Sequence, residues 1–374
     1  MGVGDDRARH RAHGIDVEVA RRAIEALGRG AEQVFGSHGW IGGQSELYGA
    51  RDGRFEPRAS PEVSVASPTL PGTTSGDAAL DRRLDWARSY AEGGDREAAA
   101  GMLADLVIEA PQFVAAWFLL GETLEAAGDL EGAADAFREA RERAPDDMMG
   151  AGLRLARLGA VPATGAMSPA YVRTLFDQYA GRFDAALRTR LAYRGPEVLA
   201  GALEAACAAL GRPLAFARAL DLGCGTGLAA PLIAPWVARL EGVDLSPAML
   251  AQAERLGLYG GLRAAEMGAD LEAAEPGIYD LILAADALCY VAELGPLLGA
   301  ARRALAPGGL VAATLETHEG AGVILRDTLR YAHGRAHLVA AAEAAGLAII
   351  SLDTVSTRTE KGIPVPGLVA VLGG

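Results

Sequence analysis

An acid followed by three spaced glycines stands at residues 221–227, in the run A-L-D-L-G-C-G-T-G-L from Ala219 to Leu228. The apolar residues before it fit a buried parallel strand, and the alanine- and leucine-rich residues after it fit a helix. Glycine in the sharp turn between them supplies unusual backbone angles and lets a ligand lie against the main chain. The helix N-terminus beyond the turn offers free N–H groups. Open α/β sheets bind ligands at such a strand end. The dinucleotide fingerprint G-x-G-x-x-G fails here at its third glycine, because Leu228 stands in that place. An acid at 221 suits a cationic ligand group better than a pyrophosphate. A second apolar run, Leu240 to Val243, ends in Asp244, placed to accept from ribose hydroxyls. Together the two acids fit a nucleoside carrying a positively charged amino-acid tail.

Asp221 to Gly227, with Gly242-Val243-Asp244-Leu245-Ser246-Pro247, resembles motif I and its successor in class I S-adenosylmethionine (SAM) methyltransferases. The resemblance implies SAM as cofactor. Asp221 would orient the methionine moiety, Gly223, Gly225 and Gly227 would admit the ligand against the backbone, and Asp244 with Leu245 would take the ribose. It also implies that Glu266, 22 residues beyond Asp244, reads the adenine amino group while Met267 packs on the ring. Asp270 is the alternative if that strand runs longer, and a solvated strand-end acid is the plain reading of Glu266. The apolar run Leu281 to Ala285, ending in Asp286 with Leu288, Cys289 and Tyr290 after it, matches motif IV, whose strand end faces the transferable methyl group. Tyr171 to Ala180 with Arg182-Phe183-Asp184 resembles the F-D-x-Y-A-x-x-F-D entry segment of small-molecule SAM methyltransferases, which folds over the cofactor and brings Tyr179 to it. By spacing alone Val172, Leu175, Phe176, Tyr179 and Phe183 form one helical face, either a core stripe or a lid.

The acceptor should sit near Asp286, Tyr290 and His318, under Tyr171, Tyr179 and either Tyr331 or His333. An oxygen or nitrogen acceptor needs a base with a pKa near neutrality, which favours His318 or His333 unless burial raises Asp286. A carboxylate acceptor needs none. Cys224 at the glycine turn is either a small filler or a thiol nucleophile, and no base lies near it in sequence. His333 and His337 are four apart, but no third ligand recurs with them, so no metal is expected. Glu316, His318 and Glu319 follow the fifth strand and either face substrate or form a polar loop.

Strands alternating with helices around these residues give a doubly wound α/β domain. The family resemblance sharpens this to a Rossmann-like sheet of seven strands over residues 165–374, the last antiparallel through a hairpin of Leu347–Leu352 with Leu368–Leu372. Ahead of it a 34-residue period appears: Gly94-Asp95 recurs as Gly128-Asp129, Ala99 as Ala133 and Pro111 as Pro145. Trp117, Leu120, Gly121, Leu124, Ala133, Phe137, Ala140 and Pro145 fall on the tetratricopeptide (TPR) pattern. Residues 80–160 thus read as an all-α segment of two repeats and a capping helix, Met148 to Gly159. Two repeats are few for a free-standing solenoid, so the segment is either a helical brace or a short groove for a protein partner. Residues 1–50 carry one amphipathic helix from Val17 to Val34, and residues 51–79 read as a flexible linker. The whole arrangement is similar to TPR-containing predicted methyltransferases of bacteria.

A net charge of −13 over 374 residues leaves no electrostatic footprint for nucleic acid or an anionic membrane. The longest uncharged run, Leu222 to Ala238, is broken by glycine and proline, and three scattered cysteines suit a reducing cytoplasm. The expectation is a cytoplasmic SAM-dependent methyltransferase acting on an unidentified, small-molecule acceptor. Two alternatives stand: a TPR scaffold whose SAM domain is not catalytic, and an enzyme whose protein substrate docks on the repeats.

Overall fold

The computed structural model describes residues 73–181, 183, 184 and 191–374. The helix expected within residues 1–50, the linker up to residue 72 and Arg182 lie outside them. Two compact units are present, divided after Ala144.

The first unit contains α1 (Ala78–Glu92), α2 (Arg96–Glu109), α3 (Val114–Ala127) and α4 (Leu130–Arg143). The recurring Gly-Asp pair does the same work in both copies. Gly94 and Gly128 each turn at φ 88°, and Asp95 and Asp129 then cap the next helix by accepting from Ala98 N at 3.1 Å and Gly132 N at 3.0 Å. Gly121 is small for a packing reason, since a Cβ there would lie 2.6 Å from the Phe137 ring. Trp117 is fully buried, donates from its indole to the Pro111 carbonyl at 2.8 Å and lies under the Arg143 guanidinium.

The second unit, Pro145–Gly374, opens with α5 (Ala151–Arg157), α6 (Pro169–Tyr179) and α7 (Gly195–Ala209). Helix α5 lies within the stretch Met148 to Gly159 expected as the capping helix, and it falls in this unit. The Asp147 carboxyl accepts from Ala151 N and Gly152 N at 2.7 and 2.8 Å, and the Ser168 hydroxyl donates to the Asp147 carbonyl. Ser168 also caps α6, accepting from Tyr171 N at 2.9 Å with Pro169 following. The sheet then alternates with short helices: β1 (Phe216–Leu222), α8 (Ala230–Ile233), β2 (Val237–Asp244), α9 (Pro247–Glu254), β3 (Gly261–Ala264), α10 (Met267–Ala273), β4 (Tyr279–Ala284), α11 (Leu294–Ala304) and β5 (Leu305–His318). It finishes with β6 (Val323–Leu325), β7 (Tyr331–Gly334), α12 (Arg335–Ala344), β8 (Ala348–Val355), β9 (Thr359–Glu360), β10 (Ile363–Pro364) and β11 (Gly367–Gly373).

Seven strands run in the order β3-β2-β1-β4-β5-β11-β8, with β11 antiparallel to both neighbours. β7 continues beside the end of β5 and carries β6 on its other side. Alternation along β4 divides the core: Leu281 and Leu283 face α7 and α8, while Ile282 and Ala284 face α10, α11 and α12. Each leucine buried this way contributes about 1.5–3 kcal/mol. β3 ends earlier than the Leu262–Met267 strand expected from the pattern. Glu266 turns the chain and caps α10, so Met267 is helical.

Candidate active site

Asp221 lies near the end of β1, Asp244 ends β2, Glu266 follows β3 and Asp286 follows β4. These four strands are parallel, so their C-terminal ends share one edge, and the strand order reverses between β1 and β4. A crevice forms outside such a switch point. Here it is a cavity of about 740 Å³, within the roughly 300–1,000 Å³ usual for small-molecule sites. All four carboxylates line it.

At one end, Gly223 and Gly225 turn with φ 63° and 55°. A Cβ on Gly223 would stand 2.6 Å from the Ala287 methyl, so that turn tolerates no side chain. Gly225 N donates to Asp244 Oδ2 at 2.9 Å and Ser246 N to its Oδ1 at 2.8 Å. Each oxygen keeps a lone pair for a further donor. Burial raises the Asp244 carboxyl against these two hydrogen bonds. Asp221 is 2% exposed and accepts from the Tyr259 hydroxyl at 2.7 Å. Burial pushes its carboxyl up to about 7, despite that hydrogen bond and with a further push from Asp244. Glu266 accepts from Gly268 N at 3.0 Å and Ala269 N at 2.8 Å. Leu245, Met267 and Tyr179 also border the cavity. Gly227 does not: a Cβ there would meet Leu256 at 2.7 Å and Tyr259 at 3.0 Å, so its smallness serves packing. Asp270 is held by Arg263 at 2.6 and 2.8 Å, away from the cavity.

Helix α6 covers this end. Val172, Leu175, Phe176, Tyr179 and Phe183 all border the cavity, so the periodic face is turned to the site. Asp177 Oδ1 accepts from the Ser246 hydroxyl at 2.5 Å, and Asp184 Oδ1 from the Thr226 hydroxyl at 2.6 Å. The cover is thereby tied to the loops after β2 and β1.

At the other end, Asp286 has φ 54°, strained for a residue other than glycine. Its Oδ1 accepts from the Thr314 hydroxyl at 3.0 Å, and its buried Oδ2 makes no hydrogen bond among the described residues. Burial raises this carboxyl, while Arg358 and the hydroxyls of Thr357, Thr314 and Tyr193 favour its charged form. Tyr290 meets Phe176 edge-on at 5.3 Å, and burial raises its phenol. Cys289 is pushed up to about 12 by burial and nearby Glu316, and burial likewise raises Cys224. Both thiols stay protonated at neutral pH.

Neither expected histidine borders the cavity. His318 accepts from Gly320 N at 3.0 Å in its own turn. His333 is fully buried, stacks on His337 at 5.5 Å and is lowered to about 4 by burial. Its ring nitrogens form no hydrogen bond among the described residues, although the Leu288 and Val291 carbonyls favour the protonated ring. Among the described residues no three metal-ligating side chains converge. Tyr331 does reach the cavity, with its hydroxyl donating to the Ala163 carbonyl at 2.6 Å.

Three residues given no role by sequence reasoning border the acceptor end: Tyr193, Arg330 and Arg358. Glu316 lies behind them, 3% exposed, with Oε1 accepting from Arg330 Nε at 2.5 Å and from Arg358 Nη2. Glu360 is bound by both arginines as well. Neither arginine carries a local sequence pattern that points to this site.

Residues 220–311 match a family model described as a methyltransferase domain, and residues 84–147 match one described as a tetratricopeptide repeat. Human methyltransferase-like protein 27 is 37% identical over 147 residues, which are 38% of this chain and 57% of that protein. The ubiquinone biosynthesis O-methyltransferase of Thiobacillus denitrificans is 33% identical over 149 residues, 36% of this chain and 64% of its own length. The chain therefore spans less than two thirds of these relatives. A solved structure, the 1,6-didemethyltoxoflavin N1-methyltransferase of Burkholderia thailandensis, aligns with a TM-score of 0.43 at 19% identity, over 55% of this chain and 87% of that one.

Proposed function

Taking as premise that the chain carries a methyltransferase domain behind a TPR segment, we propose that it is a SAM-dependent methyltransferase acting on a small molecule. The observation that carries the reading is the gathering of Asp221, Gly223, Gly225, Asp244, Leu245, Glu266 and Met267 around one cavity that continues to Asp286. SAM supplies an electrophilic methyl group on a positively charged sulfur. In this reading the free lone pairs of Asp244 accept from the ribose hydroxyls, and Asp221 faces the cationic methionine end. Glu266 accepts from the adenine amino group beside Met267. Helix α6 excludes water from the site, and methyl transfer then depends mainly on close approach and alignment.

Asp286 is the group best placed to take a proton from an oxygen or nitrogen acceptor. It borders the cavity and its carboxyl is raised by burial, whereas His318 and His333 lie outside the cavity. The likeness to ubiquinone biosynthesis O-methyltransferases supports an oxygen acceptor on a small molecule.

Calorimetric titration tests the cofactor reading. Wild-type protein should bind SAM, and Asp244→Ala should bind at least about tenfold more weakly, because two hydrogen bonds to a charged group are lost. Equal affinity in the variant would remove the ribose assignment. Binding of NAD in competition with SAM would replace the methyltransferase reading with an oxidoreductase.

A further inference from the structure

The acceptor end of the cavity has a polarity that methyl transfer itself does not require. Its walls are aromatic, with Tyr171, Phe176, Tyr193 and Tyr290 bordering it, and two arginines, Arg330 and Arg358, line it as well. Arg358 is 6% exposed and the Arg330 side chain 21%. Their carboxylate partners, Glu316 and Glu360, do not border the cavity. The acids therefore stand behind the arginines, and the arginines form the face a ligand would meet.

Among the described residues each guanidinium keeps one fork arm without a hydrogen bond. Arg330 uses Nε and Nη2 on Glu316 and Glu360, and Arg358 uses Nη2 and Nε on the same two acids. Neither Nη1 donates to a described residue. Arg326 joins the same cluster at 3.4 Å from Glu316, so three guanidiniums face two carboxylates. Asp286 acts on Arg358, while Glu316 is the carboxylate that acts most on Arg330. A desolvated, fixed pair of guanidiniums is suited to a planar anion, which two adjacent N–H arms can grip. The surrounding rings suit a flat apolar body.

We propose that the acceptor is a planar ring compound bearing a carboxylate, with that carboxylate anchored by the Nη1 groups of Arg330 and Arg358. This rests on the methyltransferase reading above and deepens it by giving the acceptor a chemical class. The anchor fixes which ring atom can approach the methyl group and discriminates acids from their neutral analogues. A site built to pair a charge rejects the uncharged analogue, because its own buried donors are left unpaired.

The test uses the full chain saturated with S-adenosylhomocysteine and titrated with matched pairs: benzoate, 4-hydroxybenzoate, cinnamate and indole-3-acetate, each against its primary amide. At least one acid should bind, with its amide at least tenfold weaker. Arg330→Gln should remove that discrimination, and Arg330→Lys should restore part of it. Amides binding as well as acids overturn the proposal, and so does the failure of every acid to bind protein whose S-adenosylhomocysteine affinity is intact. If Arg330→Gln weakens S-adenosylhomocysteine instead of the acid, the arginines hold the cofactor carboxylate and the proposal is wrong. Should that variant not fold, the acid–amide comparison on wild type still decides. Absence of S-adenosylhomocysteine binding by wild type would overturn the methyltransferase reading itself.

Discussion

Asp221 concentrates the electrostatics of the cofactor end in one buried carboxyl raised to about 7. The raised value sets the direction of a pH effect. Below 7 the group is neutral and cannot pair with a cationic ligand; above 7 it is charged and can. SAM affinity should therefore rise with pH through this range, by roughly five- to tenfold between pH 6 and 7.5 if only the ionised form binds. Asp221→Asn should bind more weakly and show a flat profile over the same interval. Titration calorimetry at several pH values checks both, and a profile unchanged by the substitution would show that another group titrates. The Tyr259 hydroxyl, which lowers the Asp221 pKa, belongs to the same unit.

Helix α6 shows how an element can be both ordinary and functional. Ser168 and Pro169 start it by local capping chemistry, and spacing alone leaves its apolar stripe open as either core or lid. The stripe borders the cavity, and Asp177 makes the anchoring contact. Asp177 accepts from the Ser246 hydroxyl, which itself caps α9 by accepting from Met249 N at 3.1 Å. Asp177→Ala should release the cover from the loop after β2 while leaving the sheet core intact. Losing a charge-assisted hydrogen bond of about 1.5–3 kcal/mol at this tie should weaken SAM binding by at least about tenfold. The thermal midpoint should stay close to wild type. Unaltered SAM affinity would mean that the cover does not depend on this tie.

At the scale of the whole molecule, the break after Ala144 decides where a truncation can be made. A cut after residue 160 would follow the repeat pattern but would delete α5 with Asp147, and Ser168 would lose its partner. Residues 145–374 should therefore be more stable than residues 161–374, as a side-by-side thermal melt would read. With an acceptor identified by labelled SAM, residues 145–374 should keep the kcat/KM of the full chain. A large loss at unchanged SAM affinity would instead point to a protein acceptor docked on the repeats. Retained SAM binding with no labelled acceptor, alongside a stable complex that needs the TPR segment, would favour the scaffold alternative.

Features governed by neighbours in the chain were open to sequence reasoning. The β1 turn, the 34-residue recurrence of Gly94-Asp95 as Gly128-Asp129 and the β4 run each follow from a few adjacent residues or a fixed period. Asp221 and Asp244 followed from acids at the ends of apolar runs, the family resemblance added Glu266 and Asp286, and the parallel strands bring all four to one edge. Glu266 as a helix cap, Gly227 as a packing site and His333 as a buried ring outside the cavity required the folded chain. Each outcome depends on what lies beside the residue in space, such as Tyr259 against Gly227. The same holds for the acceptor face: Arg358 meets Glu316 across 42 residues. Spacing along a helix or strand carries no information about such a pair. Packing of the segments after β5 brings it together, and burial then fixes which donors are left for a ligand.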